Sequence, residues 1–404
     1  MSIEPNTDSK RIYIVDDDPQ VRAVLKTLLE RFEPKWAIKE FGNARDALAA
    51  ADQEAPHLVI CDQIMPHVTG TEMFDDLRRK HPESIRILLS GHASDADKIA
   101  SAQQCLAKPF KVEELVEVIN RSLAAQESLA DPAFAKLIGS LTSFPALSKN
   151  CTRLLLELEG DEFNENMNRL ISEDGGIFTR ALQLANSPLF HGSAMAQDPR
   201  AALMRLGTRN MRALVMSVHV FHGYDKINLP QITFFRLWKH CRQTAEVAEK
   251  LAVSLLGRKD AEDVFFAALV HDLGRLIFMD NRLAEYKVVC QQALAKKTTL
   301  EFMETQKFGK NNTELTRFML QLWGMPDSVC RAVVNHVEPW QHPEENHLTL
   351  TTLLYVANHL TRQAHPPDPF ITPPLNMEYL RSVGFEEVPR LESLLDEPNP
   401  EADS

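Results

Sequence analysis

The sequence is informative first for what it is missing. Its six cysteines, Cys61, Cys105, Cys151, Cys241, Cys290 and Cys330, form no CxxC pair that would suggest a zinc knuckle or a redox motif. They read as reduced, mostly buried thiols. No run approaches the roughly 18 apolar residues a membrane span needs, and the start, MSIEPNTDSKR, has no apolar core of the signal-peptide kind. The expected compartment is the cytoplasm. Positive charge is also short: 44 Lys and Arg face 56 Asp and Glu, for a net charge of −12. That balance argues against a protein that wraps a phosphate backbone unaided, and no helix interleaves basic residues for base reading, so nucleic acid is not an expected partner. There is no internal repeat.

What is present is ordinary globular composition, 44% hydrophobic and 25% charged, in 404 residues. At roughly 150 residues per domain, that length predicts two or three domains. Over 11–123, short β-rich runs alternate with helical ones, the pattern of a doubly wound five-stranded parallel sheet. The strands are expected at Ile12–Val15, Ala37–Phe41, Leu58–Cys61, Ile85–Leu89 and Cys105–Ala107, each followed by a crossover or helix. Val21, Val24, Leu25, Leu28 and Leu29 share a helical face, as do Val112, Leu115, Val116 and Ile119. Asp18-Pro19 marks a helix start.

After Ser122 the pattern changes. A linker is expected over 124–136, then an all-α unit over 137–363 with no strand alternation, with the stretch Gly223–Pro230 separating two lobes. Prolines crowd from 364, a short helix is expected before 395, and the acidic residues 396–404 read as disordered.

In a parallel sheet, ligands bind beyond the carboxyl ends of the strands. The first strand ends in Asp16-Asp17-Asp18, the third in Asp62, the fourth in Ser90, and Lys108-Pro109 follows the fifth. Clustered carboxylates repel unless a cation joins them, and oxygen ligands suit Mg²⁺. A nucleophile, a metal and donors for added charge are what a carboxylate needs to accept a phosphoryl group. Asp62 is the expected nucleophile, Asp16 and Asp17 the metal ligands, Ser90 and Lys108 the phosphoryl binders. The competing reading, in which Asp16–Asp18 only cap a helix and Lys108 is a solvated charge, suits any one of these residues but not the spaced set.

Val15-Asp16-Asp17, Arg22, Asp62-x-x-Met65-Pro66, Gly70, Ser90-Gly91 and Lys108-Pro109-Phe110 resemble the receiver domain of two-component response regulators over residues 10–123. The resemblance implies an aspartyl phosphate at Asp62, Mg²⁺ held by Asp17, Asp62 and the backbone carbonyl of Ile64, and Ser90 with Lys108 as the switch pair. It also implies a histidine kinase or phosphotransfer protein as donor. Cys105 stands three residues before Lys108, where the family usually has an aromatic, and the segment between Ser90 and Lys108 is short. The loop Ser90–Ala93 is therefore expected to carry more of the signal than position 105.

In the helical half, His240, the run Phe265–Gly274 containing His271-Asp272, and His336 stand out. A His–Asp pair in an apolar helix should be paired or metal-bound, because an unpartnered buried charge is costly. These residues resemble the metal-binding start of HD phosphohydrolases, whose fourth ligand is an acid; here that position is Asn358. No Gly-Tyr-Pro segment follows His271, and Gly223-Tyr224 leads into Asp225 instead. A transition metal at this site is not expected, and His336 would stand behind the ligands.

Ile171–Asp174, Leu184–Ser187, Leu203-x-x-Leu206-Gly207 and Leu322–Pro326 are closer to the HDOD domain, an HD-related output domain regarded as non-catalytic. The expectation is a response regulator whose HDOD output binds a partner protein, the alternative a metal-dependent phosphohydrolase acting on a nucleotide or cyclic dinucleotide. Core histidines are preferred to catalytic ones. Arg200, Arg205, Arg209 and Arg212 read as a solvated helix face, and Met211, Met216 and Phe221 as core.

Overall fold

The computed structural model describes residues 9–91, 98–145, 165–173, 196–221, 232–256, 258–342, 347–364 and 370–389, with isolated positions from 154 to 185 and at 229 and 394. Several expectations fall outside these residues: the acidic tail, all of Gly223–Pro230 except Leu229, Asp174, Asn186-Ser187, Cys151, and the side chains of Arg209, Arg212, Met216 and Phe221. The chain forms two compact units. One takes Met1–Lys149 with Phe308–Lys310 and Phe318–Gly324, the other the remainder.

The first unit is built on strands β1 (Arg11–Val15), β2 (Ala37–Phe41), β3 (Leu58–Asp62), β4 (Ile85–Ser90) and β6 (Gln104–Ala107), all parallel in the order β2-β1-β3-β4-β6. Ile12, Leu58, Ile60, Ile85 and Ile87 are fully buried, as β-branched and aliphatic runs covered on both faces require. Helices α1 (Pro19–Phe32), α2 (Ala44–Gln53), α3 (Gly70–Lys80) and α4 (Val112–Gln126) supply the crossovers and the closing helix. Their starts are chemical. Asp18 accepts the Gln20 N–H with Pro19 in the first turn, and Thr69 and Glu72 make a reciprocal capping box. Leu25 and Leu29 of α1 are buried as expected, whereas Val24 is exposed.

The crossover expected between β4 and the last strand contains instead a short strand, β5 (Lys98–Ala100), with 92–97 outside the described residues. β5 pairs antiparallel with β7 (Ser143–Pro145), a strand in the stretch expected to be all-α. Ser101 locks this ribbon. Ser101 sits at φ 67°, in the left-handed region uncommon for non-glycine residues. Its N–H donates to Thr142 O at 3.0 Å, its hydroxyl to Asp75, and its carbonyl accepts Arg86 Nε at 2.5 Å. The expected linker 124–136 holds the end of α4, a 3-10 turn at Glu127–Ala130 and the start of α5 (Pro132–Ser140), whose Gly139 carbonyl accepts Arg78 Nη1 at 2.8 Å.

Among the described residues, the second unit holds α6 (Glu165–Glu173), α7 (Pro199–Phe221), α8 (Phe234–Leu255), α9 (Arg258–Val270), α10 (Leu273–Lys296), α11 (Leu300–Phe308), α12 (Asn312–Leu322), α13 (Asp327–Asn335), α14 (Leu350–Ala364) and α15 (Met377–Ser382); the ends of α11 and α12 are assigned to the first unit. Gly207, at φ 78°, breaks α7 after Leu206. Gly274 is required by packing, because a Cβ there would stand 2.1 Å from Asn312 O. No described helix is long and apolar enough to cross a membrane.

Candidate functional site

The carboxyl ends of β1, β3 and β4 and the loop after β6 bring Asp16, Asp62, Ser90 and Lys108 to one edge of the sheet. Lys108 Nζ lies 2.5 Å from Asp62 Oδ1 and 3.5 Å from Asp16 Oδ2. Burial works to lower the Lys108 pKa, but the bond to Asp62 and the two carboxylate charges outweigh it and raise the value. Asp16 is almost wholly buried, and that burial raises its pKa. Its Oδ1 accepts the Asp18 N–H at 2.9 Å, and Arg22 Nη1 donates to the Asp16 carbonyl at 2.6 Å.

Asp62 Oδ2 accepts the Ile64 N–H at 3.0 Å, while the Ile64 side chain is exposed. A Cβ at Gly70 would stand 2.3 Å from the Asp62 carbonyl, so only glycine lets α3 start this close to the acid. Ser90 is buried, and its carbonyl accepts the Lys108 N–H at 2.7 Å. Asp17 is exposed, with its carbonyl near Arg22 Nη1 at 3.2 Å. The donor set is all oxygen, and the buried Asp16 carboxylate shares the Lys108 ammonium with Asp62. A hard divalent cation such as Mg²⁺ fits that chemistry.

The second unit gathers a different cluster. His240 on α8, His271 and Asp272 between α9 and α10, His336 after α13 and Asn358 on α14 are all buried. The rings of His240, His271 and His336 stand edge to face in succession, each 5.3 Å from the next. His271 Nδ1–H donates to Ala268 O at 2.6 Å and His336 Nδ1–H to Val333 O at 2.7 Å, which leaves a lone pair on each Nε2. His240 Nε2–H donates to Asn358 Oδ1 at 2.9 Å. Ligand atoms of His240, His271 and Asp272 lie within 4.8 Å of one another. His240 Nδ1, His271 Nε2 and Asp272 Oδ2 have no hydrogen-bond partner.

Around this triangle the charges are already paired. Arg275 Nε is 3.2 Å from Asp272 Oδ1 and its Nη2 is 2.6 Å from Glu301 Oε1. Arg362 Nη2 is 3.1 Å from Glu301 Oε1 and 3.8 Å from Asp272 Oδ2. Burial alone would raise the Asp272 and Glu301 pKa values, but the guanidiniums hold both down, Glu301 at about 2. Burial pushes the histidines the other way, His336 down to about 3. Burial thus disfavours the charged form of all three rings.

Residues 12–120 match the family described as the response regulator receiver domain, and residues 144–339 match the HDOD domain. The chain is a receiver domain followed by an HDOD domain. This order of domains supports a response regulator of two-component signalling. Among curated proteins it is similar to the hydrogenase transcriptional regulatory protein HoxA of Bradyrhizobium diazoefficiens, 31% identical over 28% of this chain and 24% of that one. It is also similar to the DNA-binding transcriptional regulator NtrC of Salmonella typhimurium, 28% identical over 32% of this chain and 28% of that one. The chain thus spans about a quarter of these relatives' length. Among solved structures, an HDOD domain protein from Geobacter sulfurreducens aligns with a TM-score of 0.50 at 19% identity, covering 65% of this chain and 85% of that one. It shows a shared fold.

The receiver residues singled out from sequence, Asp16, Asp62, Ser90 and Lys108, come together; Asp17 lies beside them on the exposed side. His240, His271, Asp272, His336 and Asn358 of the HDOD domain also converge. Arg275, Arg362 and Glu301 were missed. The available signal was spacing: Arg275 follows Asp272 by three positions and Arg362 follows Asn358 by four, so each lies one helical turn from a flagged residue.

Proposed function

We propose that Asp62 accepts a phosphoryl group from a histidine kinase or phosphotransfer protein, and that this modification switches a non-catalytic HDOD output which binds a partner protein in the cytoplasm. The observation that carries the reading is the Asp62 carboxylate held 2.5 Å from Lys108 Nζ beside buried Asp16. An Asp62 oxygen attacks phosphorus, the phosphorus–nitrogen bond to the donor imidazole breaks, and the imidazole leaves with the electron pair and takes up a proton. Asp16, Asp17, Asp62 and the Ile64 carbonyl would hold Mg²⁺, which when bound offsets charge on the phosphoryl oxygens. Lys108 must then exchange its bond to the free carboxylate for one to the phosphoryl group. The added charge of roughly −1.5 to −2 falls where Ser90 and Lys108 are tied through the backbone.

HoxA and NtrC are named as transcriptional regulators, but their similarity spans about a third of this chain at most. Partner binding by protein rather than DNA accords with the net charge of −12. The second reading, a phosphohydrolase acting on a nucleotide or cyclic dinucleotide, draws on the converging His240, His271 and Asp272 atoms.

Incubation with a small phosphodonor and Mg²⁺ tests the first reading. Acid-labile label should appear on the wild type and vanish in Asp62→Asn; undiminished label mapped to another residue overturns the assignment. Metal-dependent turnover of a cyclic dinucleotide that disappears in both His271→Ala and Asp272→Ala would replace the non-catalytic output by the hydrolase.

A further inference from the structure

The buried cluster of the HDOD domain is closed in charge. Two guanidiniums, Arg275 and Arg362, face two carboxylates, Asp272 and Glu301, and all four residues are nine-tenths or more buried. Glu304 is engaged elsewhere, accepting Tyr286 Oη–H at 2.5 Å and both Asn312 N–H groups at 2.8 Å. Burial raises its pKa to about 7, so it carries only part of a charge near neutrality.

One ring nitrogen each of His240 and His271 and one carboxylate oxygen of Asp272 lie within 4.8 Å of one another, a triangle with the dimensions to surround a small ion. Its charge does not suit a divalent one. Two further positive charges would stand in a buried site, with the single carboxylate of the triangle already facing Arg275 and Arg362. Uncompensated buried charge is among the costliest arrangements in a protein.

The placement of Arg362 makes this more than a missing ligand. Asn358 Oδ1 is taken by His240, and one turn further along the same face of α14 the chain delivers a guanidinium onto Asp272 and Glu301. We infer that Arg362, together with Arg275, is the resident cation of this cluster, standing in for a divalent ion so that α8, α10, α11 and α14 converge without metal. The inference deepens the non-catalytic reading and rests on it. Restoring an acid at position 358 alone does not recreate a metal site, because with Asp272 and Glu301 already matched by the two guanidiniums the added carboxylate offsets only half the charge of a divalent ion. Asn358→Asp with Arg362→Gln leaves one guanidinium against three carboxylates, a net −2 that a divalent ion neutralises.

The test uses the full chain with Zn²⁺ or Mn²⁺ alone as probes, read by elemental analysis after gel filtration and by thermal unfolding with and without chelator. The wild type and Asn358→Asp should retain far less than one equivalent and melt at the same temperature with either ion or chelator. The double variant should gain affinity by roughly a hundredfold or more and melt higher when loaded. A wild type that holds one equivalent overturns the inference, as does a folded double variant that gains nothing. Should the double variant fail to fold, the wild-type melt still decides: stabilisation by Zn²⁺ that is lost in His271→Ala refutes the assignment. Metal uptake by the wild type without turnover would sink this inference alone, whereas uptake with turnover would also sink the non-catalytic reading.

Discussion

The receiver pocket and the HDOD cluster are both built from carboxylates and cations, yet they are balanced in opposite ways. In the pocket, Asp16 and Asp62 share one lysine whose side chain is about a third exposed, and Asp17 stands open at the rim. In the cluster, Arg275 and Arg362 match Asp272 and Glu301 one for one, with their side chains at most 8% exposed. A site that leaves negative charge unmatched beside water can admit a cation and then a phosphoryl group. A site matched internally and sealed has nothing to gain from either.

The largest effect that could break this contrast is on stability. Arg275→Met leaves Asp272 and Glu301 buried with a single guanidinium between them, and should cost the HDOD domain about 3–5 kcal/mol in urea denaturation. A loss under about 1 kcal/mol would mean that water reaches the cluster and that its pairing is not what holds it.

Acid should separate the two regions next. Glu301 has its pKa held at about 2, against burial, by Arg362 and Arg275. Its stabilisation is complete above the unfolded value of about 4.3 and drains away as pH falls toward 2, at up to about 1.4 kcal/mol per pH unit. Asp16 has the opposite sign: burial raises its pKa, so protonation relieves the receiver. Thermal melts between pH 5 and pH 3 should show the transition sensitive to Arg275→Met falling first. A receiver transition that falls earlier would contradict the comparison.

The smallest effect sharpens it from the other side. Asp16→Asn removes one of two carboxylates sharing Lys108 and should stabilise the receiver by about 1 kcal/mol while slowing phosphoryl uptake. Destabilisation of similar size would show that the pocket is matched rather than poised.

The pocket was legible in the sequence because each of its residues sits at the end of a short strand, where chain punctuation fixes position within one or two residues. Asp62 and Lys108 needed only the strand pattern to be brought together. The cluster was half legible. His240, His271 and Asn358 announced themselves by chemistry, but Arg275 and Arg362 sit on helices where a charge is ordinarily solvated, and only the packing of α8, α11 and α14 makes them internal. Arg86 is a parallel case: a fully buried guanidinium inside β4, bound to the Ser84 and Ser101 carbonyls, that alternation marks as a polar interruption and nothing more. Val24 failed for the converse reason. It lies on the apolar stripe of α1, yet only Leu25 and Leu29 are buried.

The pairing of β5 with β7 changes where the phosphoacceptor module ends as a physical object. Cutting the chain at Leu123, where the sequence pattern shifts, would remove the Thr142 carbonyl that takes the Ser101 N–H, the Gly139 carbonyl that takes Arg78, and the whole partner of β5. The three residues Lys98–Ala100 would then present a raw strand edge, a template on which a second molecule can lay its own β5. A fragment carried through Pro145 keeps that edge occupied from within. The shorter piece, though it contains every residue of the acidic pocket, would be prone to dimerise through an edge that the intact chain never exposes.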